Sequence, residues 1–173
     1  MHRRFLLAAP LAAALPGPLA SLLARPALAQ PAEAPLRVVS PWEIGSLEPS
    51  RGGYNFTRLG VGETLLGADD GGLPRPALAT EWAMADDGLS WRFTLREGAR
   101  FHDNTPVTAE AAAQSLRRAR AQPGPFATAP IEAIEAPDAR TVVIRTARPV
   151  SAIPAFVAHS GAQVLAPASW DEG

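Results

Sequence analysis

LATEWAMADDGLSWRFTLREGARFHDNTPVTAEAAAQSL, residues 78–116, is the stretch that decides the fold. Apolar and polar residues alternate over residues 90–96, which predicts a strand with one buried face. The strand predicted before it, residues 80–85, is joined to it by Asp86-Asp87-Gly88, a turn sequence typical of antiparallel hairpins. The centre of this stretch is therefore predicted to be an antiparallel hairpin.

A helix and a second hairpin follow along the chain. Thr108 is a suitable N-cap for a helix predicted over residues 109–121. Strands predicted over residues 131–136 and 141–146 are joined by the turn Pro137-Asp138-Ala139-Arg140. Weaker patterns predict short strands over residues 36–40 and 163–165, and helices over residues 56–66 and 150–157. This mixture indicates an α/β or α+β fold with at least two antiparallel hairpins.

The first residues are predicted to be a signal peptide, residues 1–29. A basic start (residues 1–4) precedes an apolar stretch (residues 5–24), and Ala27-Leu28-Ala29 fits a signal-peptidase site, with cleavage expected before Gln30. A transmembrane anchor is the alternative, because about 20 apolar residues can span a bilayer. The prolines in this stretch favour cleavage. The arginine pair at its start leaves export by the Sec or the Tat route open.

Residues 30–35 are predicted to be a linker, and residues 36–173 the folded part. The chain has no cysteine, which excludes disulfides, thiolate metal sites and a lipidated N-terminal cysteine. Without residues 1–29, which hold three of the 16 basic residues and none of the 17 acidic ones, the net charge is −4. A mildly acidic chain gives no support for nucleic-acid binding, which requires a basic surface.

Groups that could perform catalysis are sparse. His102-Asp103 resembles part of a metal site, but the other two histidines are His2 and His159, so a local turn histidine is predicted instead. Gly60-Val61-Gly62 lacks the third glycine of a dinucleotide loop. Asp69-Asp70 lacks the ligand spacing of a calcium loop. The sequence therefore predicts no catalytic residue, no metal ligand and no cofactor site.

The aromatic residues fall into two groups. Trp82, Trp91 and Phe93 lie in strand patterns and are predicted to be core residues. Four others lie in or beside predicted loops, where ordinary packing and the lining of a ligand cleft both remain open. These four are Trp42, Tyr54, Phe56 and Phe126.

A set of ordered motifs carries a family resemblance. They are Leu78-Ala79-Thr80-Glu81-Trp82, Asp86-Asp87-Gly88, Trp91-Arg92-Phe93-Thr94-Leu95-Arg96-Glu97-Gly98, Phe101-His102-Asp103-Asn104-Thr105-Pro106 and Thr108-Ala109-Glu110. Together they resemble the signature of the peptide/nickel class (family 5) of ABC-transporter solute-binding proteins. Asn104 replaces the family's usual glycine, and Ala111-Ala112 replaces Asp-Val. Residues 109–113 and the loop around Trp42 resemble the nickel-uptake branch.

The resemblance implies a two-lobed α/β flytrap of the periplasmic-binding-protein type II kind. Such a protein closes on a small-molecule or peptide ligand and docks to an ABC permease in the inner membrane, as a monomeric periplasmic protein that is not an enzyme. Family members are much longer than this chain. Residues 36–173 are therefore expected to form only the N-terminal part of the first lobe, in a fragment or a truncated product.

The resemblance also places the ligand-contacting loops, at residues 52–58, near residue 126 and at residues 159–163. The site residues that it implies are Tyr54, Asn55, Phe56, Arg58, Phe126, His159 and Ser160. Nickel-binding relatives carry an arginine in the last loop, which suits carboxylates on a metal chelate. Ser160 stands there instead, which leaves a peptide or another small solute open. A secreted hydrolase and a non-functional truncated remnant are the alternatives.

Overall fold

The computed structural model describes residues 37–39, 41 and 43–170, with the backbone alone for Trp170. The predicted signal peptide (residues 1–29), the linker (residues 30–35) and Trp42 lie outside these residues. Residues 37–39 are in no strand, so the strand predicted over residues 36–40 is wrong for these three.

The chain divides into two compact units, Met1–Val39 and Ser40–Gly173, and the elements below belong to the second. Its helices are α1 (Pro49–Arg58), α2 (Ala109–Ala121), α3 (Pro125–Thr128) and α4 (Ile153–Ala158). Its strands are β1 (Leu66–Ala68), β2 (Pro74–Pro76), β3 (Ala79–Met84), β4 (Ser90–Leu95), β5 (Ile131–Glu135) and β6 (Thr141–Thr146). Two 3₁₀ turns, Ser160–Ala162 and Pro167–Trp170, follow α4. Among the described residues, no helix has the length and apolar character that crossing a membrane requires.

A four-stranded antiparallel sheet in the order β3-β4-β6-β5 forms the centre of this unit. Both predicted hairpins are confirmed: Trp82 lies opposite Phe93 in the first, and Ile134 lies opposite Ile144 in the second. The pairing of β4 with β6 joins the two hairpins into one sheet. The mixed α/β fold predicted from the sequence is therefore the fold observed.

The alternation in β4 places one face of the sheet in the core, as predicted. Phe93 and Leu95 are buried, whereas Arg92, which precedes Phe93 and lies on the opposite face, is exposed. Burial of side chains of this size contributes about 1.5–3 kcal/mol each. Trp91 is half-buried at the start of the strand, where its Nε1 donates a hydrogen bond to the Val150 carbonyl oxygen (2.8 Å).

Helix α2 covers the buried face of the sheet and has the predicted bounds. Thr108 Oγ1 accepts a hydrogen bond from the Ala111 N–H (3.2 Å), which confirms Thr108 as the N-cap. Ala112 and Leu116 on its inner face are fully buried. Arg117 Nη1 donates to the Ile134 carbonyl oxygen in β5 (2.8 Å), so α2 is also tied to the sheet edge.

The first helix corrects a prediction, since it spans Pro49–Arg58 and not residues 56–66. Pro49 occupies its first turn, where a missing N–H costs nothing and the fixed φ of proline suits a helix. Gly60, at φ +70°, follows its end. Leu65 and Leu66 then enter the core in and beside β1. Their apolar spacing therefore reflects an extended segment in the core, and not the face of a helix.

Three smaller predictions have mixed outcomes. Asn104 adopts φ +69°, which confirms that asparagine serves at a left-handed turn position. Helix α4 begins three residues later than the predicted residue 150, at Ile153, and Pro154 stands in its first turn, where no helical hydrogen bond is lost. The strand predicted over residues 163–165 is reduced to one bridge between Gln163 and Thr64.

Candidate functional site

Helix α1 lies directly against the 3₁₀ turn Ser160–Ala162. Glycine permits this approach, because a Cβ at Gly53 would lie 2.1 Å from the Ser160 carbonyl oxygen and overlap it. The two segments that the resemblance assigns to the ligand site, residues 52–58 and 159–163, are therefore neighbours.

Gln163 joins the two segments through its side chain. It is 2% exposed, and its Nε2 donates to the Gly53 carbonyl oxygen (2.8 Å) and to Thr57 Oγ1 (2.7 Å). Thr57 Oγ1 in turn donates to the Gly53 carbonyl oxygen (3.0 Å). No local pattern in the sequence marks Gln163 as a site residue, because a single glutamine carries no signal of burial. Its position as the last residue of the predicted ligand loop at residues 159–163 is the signal that could have identified it.

Tyr54 and Arg58, one helical turn apart on α1, form a cation–π contact. The guanidinium carbon of Arg58 lies 5.4 Å from the centre of the Tyr54 ring, and both side chains are exposed. Asn55 Nδ2 donates to the Glu43 carbonyl oxygen (3.4 Å), which joins the helix to the loop before it. Phe56 is half-buried. Helix α1 thus presents an aromatic ring and a cation to solvent together.

His159 and Ser160 form the start of the neighbouring turn. His159 is exposed, and its Nδ1 accepts a hydrogen bond from the Gly161 N–H (3.0 Å), so this histidine caps the turn. In the neutral imidazole that arrangement leaves the proton on Nε2. Ser160 is half-buried, with its carbonyl oxygen close to Gly53. The turn therefore offers an imidazole and a hydroxyl.

Phe126 is separate from the other predicted site residues. It lies in the short helix α3, which replaces the loop expected there, and it is 3% exposed within the hydrophobic core. Gly124 before it and the proline at position 125 form the start of this helix. Phe126 is therefore a packing residue in this structure. Six of the seven predicted site residues lie on α1 and the adjoining turn.

Two open clefts border the segment between α1 and β1. One, of about 660 Å³, is lined by Leu47, Phe56 and Arg118 among others. The second, of about 510 Å³, is lined by residues that include Phe101 and Val107. Val61, Gly62, Leu165 and Ser169 line both clefts. This side of the unit therefore has concave, partly apolar surface beside the candidate site.

His102 and Asp103 lie at the second cleft, in the turn after β4. The hydroxyl and the N–H of Thr105 both donate to Asp103 Oδ1, at 2.6 Å and 2.9 Å, and these bonds lower the pKa of that carboxyl below its ordinary value. His102 therefore lies in a turn, as predicted, and Asp103 stabilises that turn. Within the described part of the chain, no three His, Cys, Asp or Glu side chains are grouped as a metal site would require.

Comparison with known proteins gives a match over residues 74–173, more than half of the chain, to the family described as bacterial extracellular solute-binding proteins, family 5 Middle. A probable peptide ABC transporter periplasmic-binding protein of Sinorhizobium fredii is 33% identical over 62% of this chain and 20% of its own length. A probable D,D-dipeptide-binding periplasmic protein of Escherichia coli is 39% identical over 53% of this chain and 18% of its own length.

The fold has solved counterparts. The crystal structure of a nickel ABC transporter from Bacillus halodurans superposes with a TM-score of 0.64 at 30% identity, and the match covers 71% of this chain and 26% of that one. In sequence, the chain spans about a fifth of the length of the curated relatives it matches. The similarity thus extends over most of this chain and a small part of each relative.

Proposed function

Since this chain belongs to the bacterial extracellular solute-binding proteins of family 5, we propose that it takes part in recognising a small solute for an ABC importer. The family is a non-enzymatic component of transport, so the secreted hydrolase considered above is set aside. Residues 36–173 would form the N-terminal part of the first lobe of a two-lobed flytrap. That protein would close on its ligand and dock to a permease in the inner membrane.

The contact between α1 and the turn at Ser160 carries the proposal. It brings two distant segments into one surface, and that surface holds six residues that the family resemblance assigns to the ligand. The surface combines an aromatic ring, a guanidinium, an imidazole and hydroxyl groups. Such convergent polar groups beside an apolar cleft are typical of sites that bind small polar solutes.

We propose a short peptide with a free carboxylate as the ligand. Arg58 supports this choice, because it is an exposed guanidinium on α1 and can bind a carboxylate through two hydrogen bonds. Two of the relatives are described as peptide- or D,D-dipeptide-binding proteins. The absence of an arginine between His159 and Gln163 counts against a nickel chelate.

The proposed location is the periplasm, since these relatives are described as periplasmic. Residues 1–29 would be the export signal, read by the Sec or the Tat system. The protein would act there as a monomer. Its partners would be the peptide and the permease.

Ligand-dependent stabilisation tests the proposal. The free energy of unfolding of the chain is measured alone and in the presence of D-alanyl-D-alanine, L-alanyl-L-alanine or nickel with excess L-histidine. A ligand present at 100 times its Kd raises the free energy of unfolding by about 2.7 kcal/mol. We expect a dipeptide to stabilise the wild-type chain and Arg58→Gln to reduce the response at the same dipeptide concentration.

Arg148→Gln is the matched control, because Arg148 is also exposed but follows β6, outside the candidate site. It should leave the response unchanged. Stabilisation by the nickel chelate alone would overturn the peptide assignment. No response to any of the three probes would favour the non-functional remnant.

A further inference from the structure

Gln163 is a buried polar side chain placed between two segments of the candidate site. Both N–H groups of its amide are in use, one toward the Gly53 carbonyl oxygen and one toward Thr57 Oγ1. Gly62 leaves room for the amide, because a Cβ there would lie 2.6 Å from Gln163 Nε2. The surrounding backbone is therefore shaped around this side chain.

The segment that contains Gln163 has a second polar anchor. Ser115 of α2 is also 2% exposed, and its Oγ accepts a hydrogen bond from the Leu165 N–H (3.0 Å) and donates to the Ala111 carbonyl oxygen (2.9 Å). Ser115 thus holds residues 163–165 to α2, whereas Gln163 holds them to α1. The two side chains are similarly buried but serve different helices.

We propose that Gln163 is a positioning residue of the ligand surface, which sets the placement of Tyr54 and Arg58 on α1 relative to the turn at Ser160. Gln163 is almost fully buried, so it acts through α1 and not by direct exposure to a ligand. The effect of Gln163 on ligand affinity rests on the proposed function. Its effect on the placement of α1 rests only on its hydrogen bonds to Gly53 and Thr57.

Hydrogen exchange on the full chain tests the placement. Gln163→Met keeps the length of the side chain but has no donor, and Ser115→Ala is the control at the other anchor. We expect amides of residues 54–58 to exchange at least about tenfold faster in Gln163→Met than in the wild type, which corresponds to about 1.4 kcal/mol. In Ser115→Ala they should change by less than about threefold, because the bonds to α1 remain.

A second pair of variants covers the case in which Gln163→Met does not fold. Thr57→Val removes the accepting hydroxyl, and Thr57→Ser keeps it, so the first should speed exchange in α1 and the second should not. Tyr54 is the one tyrosine in the chain, so its ring resonances in NMR spectra report on α1 without overlap from another tyrosine. Those resonances should shift in Gln163→Met and Thr57→Val.

Equal acceleration of α1 exchange in Gln163→Met and Ser115→Ala would overturn the proposal, because it would show a general loss of stability. Unchanged exchange in both Gln163→Met and Thr57→Val would also overturn it.

The affinity for ligand is measured with the dipeptide that stabilises the wild-type chain. Gln163→Met should bind this dipeptide at least about tenfold more weakly, and Ser115→Ala should bind it as the wild type does. A wild type that binds no probe would overturn the proposed function, while the exchange comparison still decides the placement of α1.

Discussion

Arg96 binds Glu63 through both terminal nitrogens of its guanidinium, with Nη1 3.0 Å from Oε1 and Nη2 2.7 Å from Oε2. Nη1 also donates to the Ala77 carbonyl oxygen (3.0 Å). The hydrogen bonds to Glu63 raise the pKa of the Arg96 guanidinium. Because Arg96 follows β4 and Glu63 precedes β1, the pair joins the sheet to the segment that leads from α1.

Arg96→Lys and Glu63→Gln should each lower the free energy of unfolding modestly. Both side chains are more than a third exposed, at 37% and 49%, so solvent screens the pair and its contribution is about 0.5–1 kcal/mol. Lysine cannot reproduce the two parallel hydrogen bonds. Urea unfolding of both single variants and the double variant measures the interaction free energy between Arg96 and Glu63. If the losses of stability in the two single variants add up to the loss in the double variant, the pair does not contribute to stability.

Leu116→Ala should lower the free energy of unfolding by about 2–5 kcal/mol, because Leu116 is fully buried between α2 and the sheet and its truncation leaves a cavity. Gln114→Ala is the matched control on the exposed side of the same helix, and it should change stability by less than about 0.5 kcal/mol. Urea unfolding followed by tryptophan fluorescence gives both values. Similar losses in the two variants would contradict the observed orientation of α2.

Asn104→Val should destabilise the chain by about 1–2 kcal/mol, because a β-branched residue is strained at φ +69°. Asn104→Gly should be close to neutral or slightly stabilising, since glycine adopts this conformation without strain. Thermal unfolding of the wild type and the two variants measures the order of their stabilities. A valine variant as stable as the glycine variant would show that this turn does not require the left-handed conformation.

Asp138 should make stability depend on pH in the acid range. Its Oδ1 accepts hydrogen bonds from the Arg140 N–H (2.9 Å) and the Thr141 N–H (2.8 Å), and these bonds lower its pKa below the ordinary value of 3.8. A lowered pKa in the folded state gives stability that is present above the unfolded pKa and is lost as the pH falls through the folded pKa.

We therefore expect the free energy of unfolding of the wild type to fall as the pH drops below about 3.8. Asp138→Asn should show a shallower fall over the same range, because its amide does not titrate. Urea unfolding at pH values on both sides of 3.8 measures the two slopes. Identical slopes would mean that Asp138 does not contribute to acid sensitivity.

The sheet and α2 could be predicted from sequence because their signals are local. Alternation in β4, the turn glycine at position 88 and the N-cap at Thr108 each lie within a few residues of the element that they define. The first helix is predicted at the wrong place in the chain, because the spacing of the apolar residues Leu65 and Leu66 resembles that of a helical face. Their burial depends on distant partners, which no local spacing reveals.

The candidate site could be predicted only in part, because its residues lie in segments that are distant in sequence. A resemblance located the segments that contain Tyr54 and Ser160, but it could not show that they lie side by side. Phe126 illustrates the limit, since an aromatic residue beside Pro and Gly fits a loop as well as a short helix that packs inward. Gln163 has significance only through partners at Gly53 and Thr57, and tertiary structure alone supplies these.

The bond between Gln163 and Gly53 has a kinetic consequence. The two residues are 110 positions apart, whereas each hairpin of the sheet closes over a short turn. Closing a long loop costs more entropy than closing a short one, so distant contacts form slowly relative to local ones. We expect α1 to dock after the β3-β4 and β5-β6 hairpins have formed during refolding, which pulse-labelled hydrogen exchange can time. The candidate ligand surface would then assemble later than the two hairpins and be among the first of the described elements to open in local unfolding.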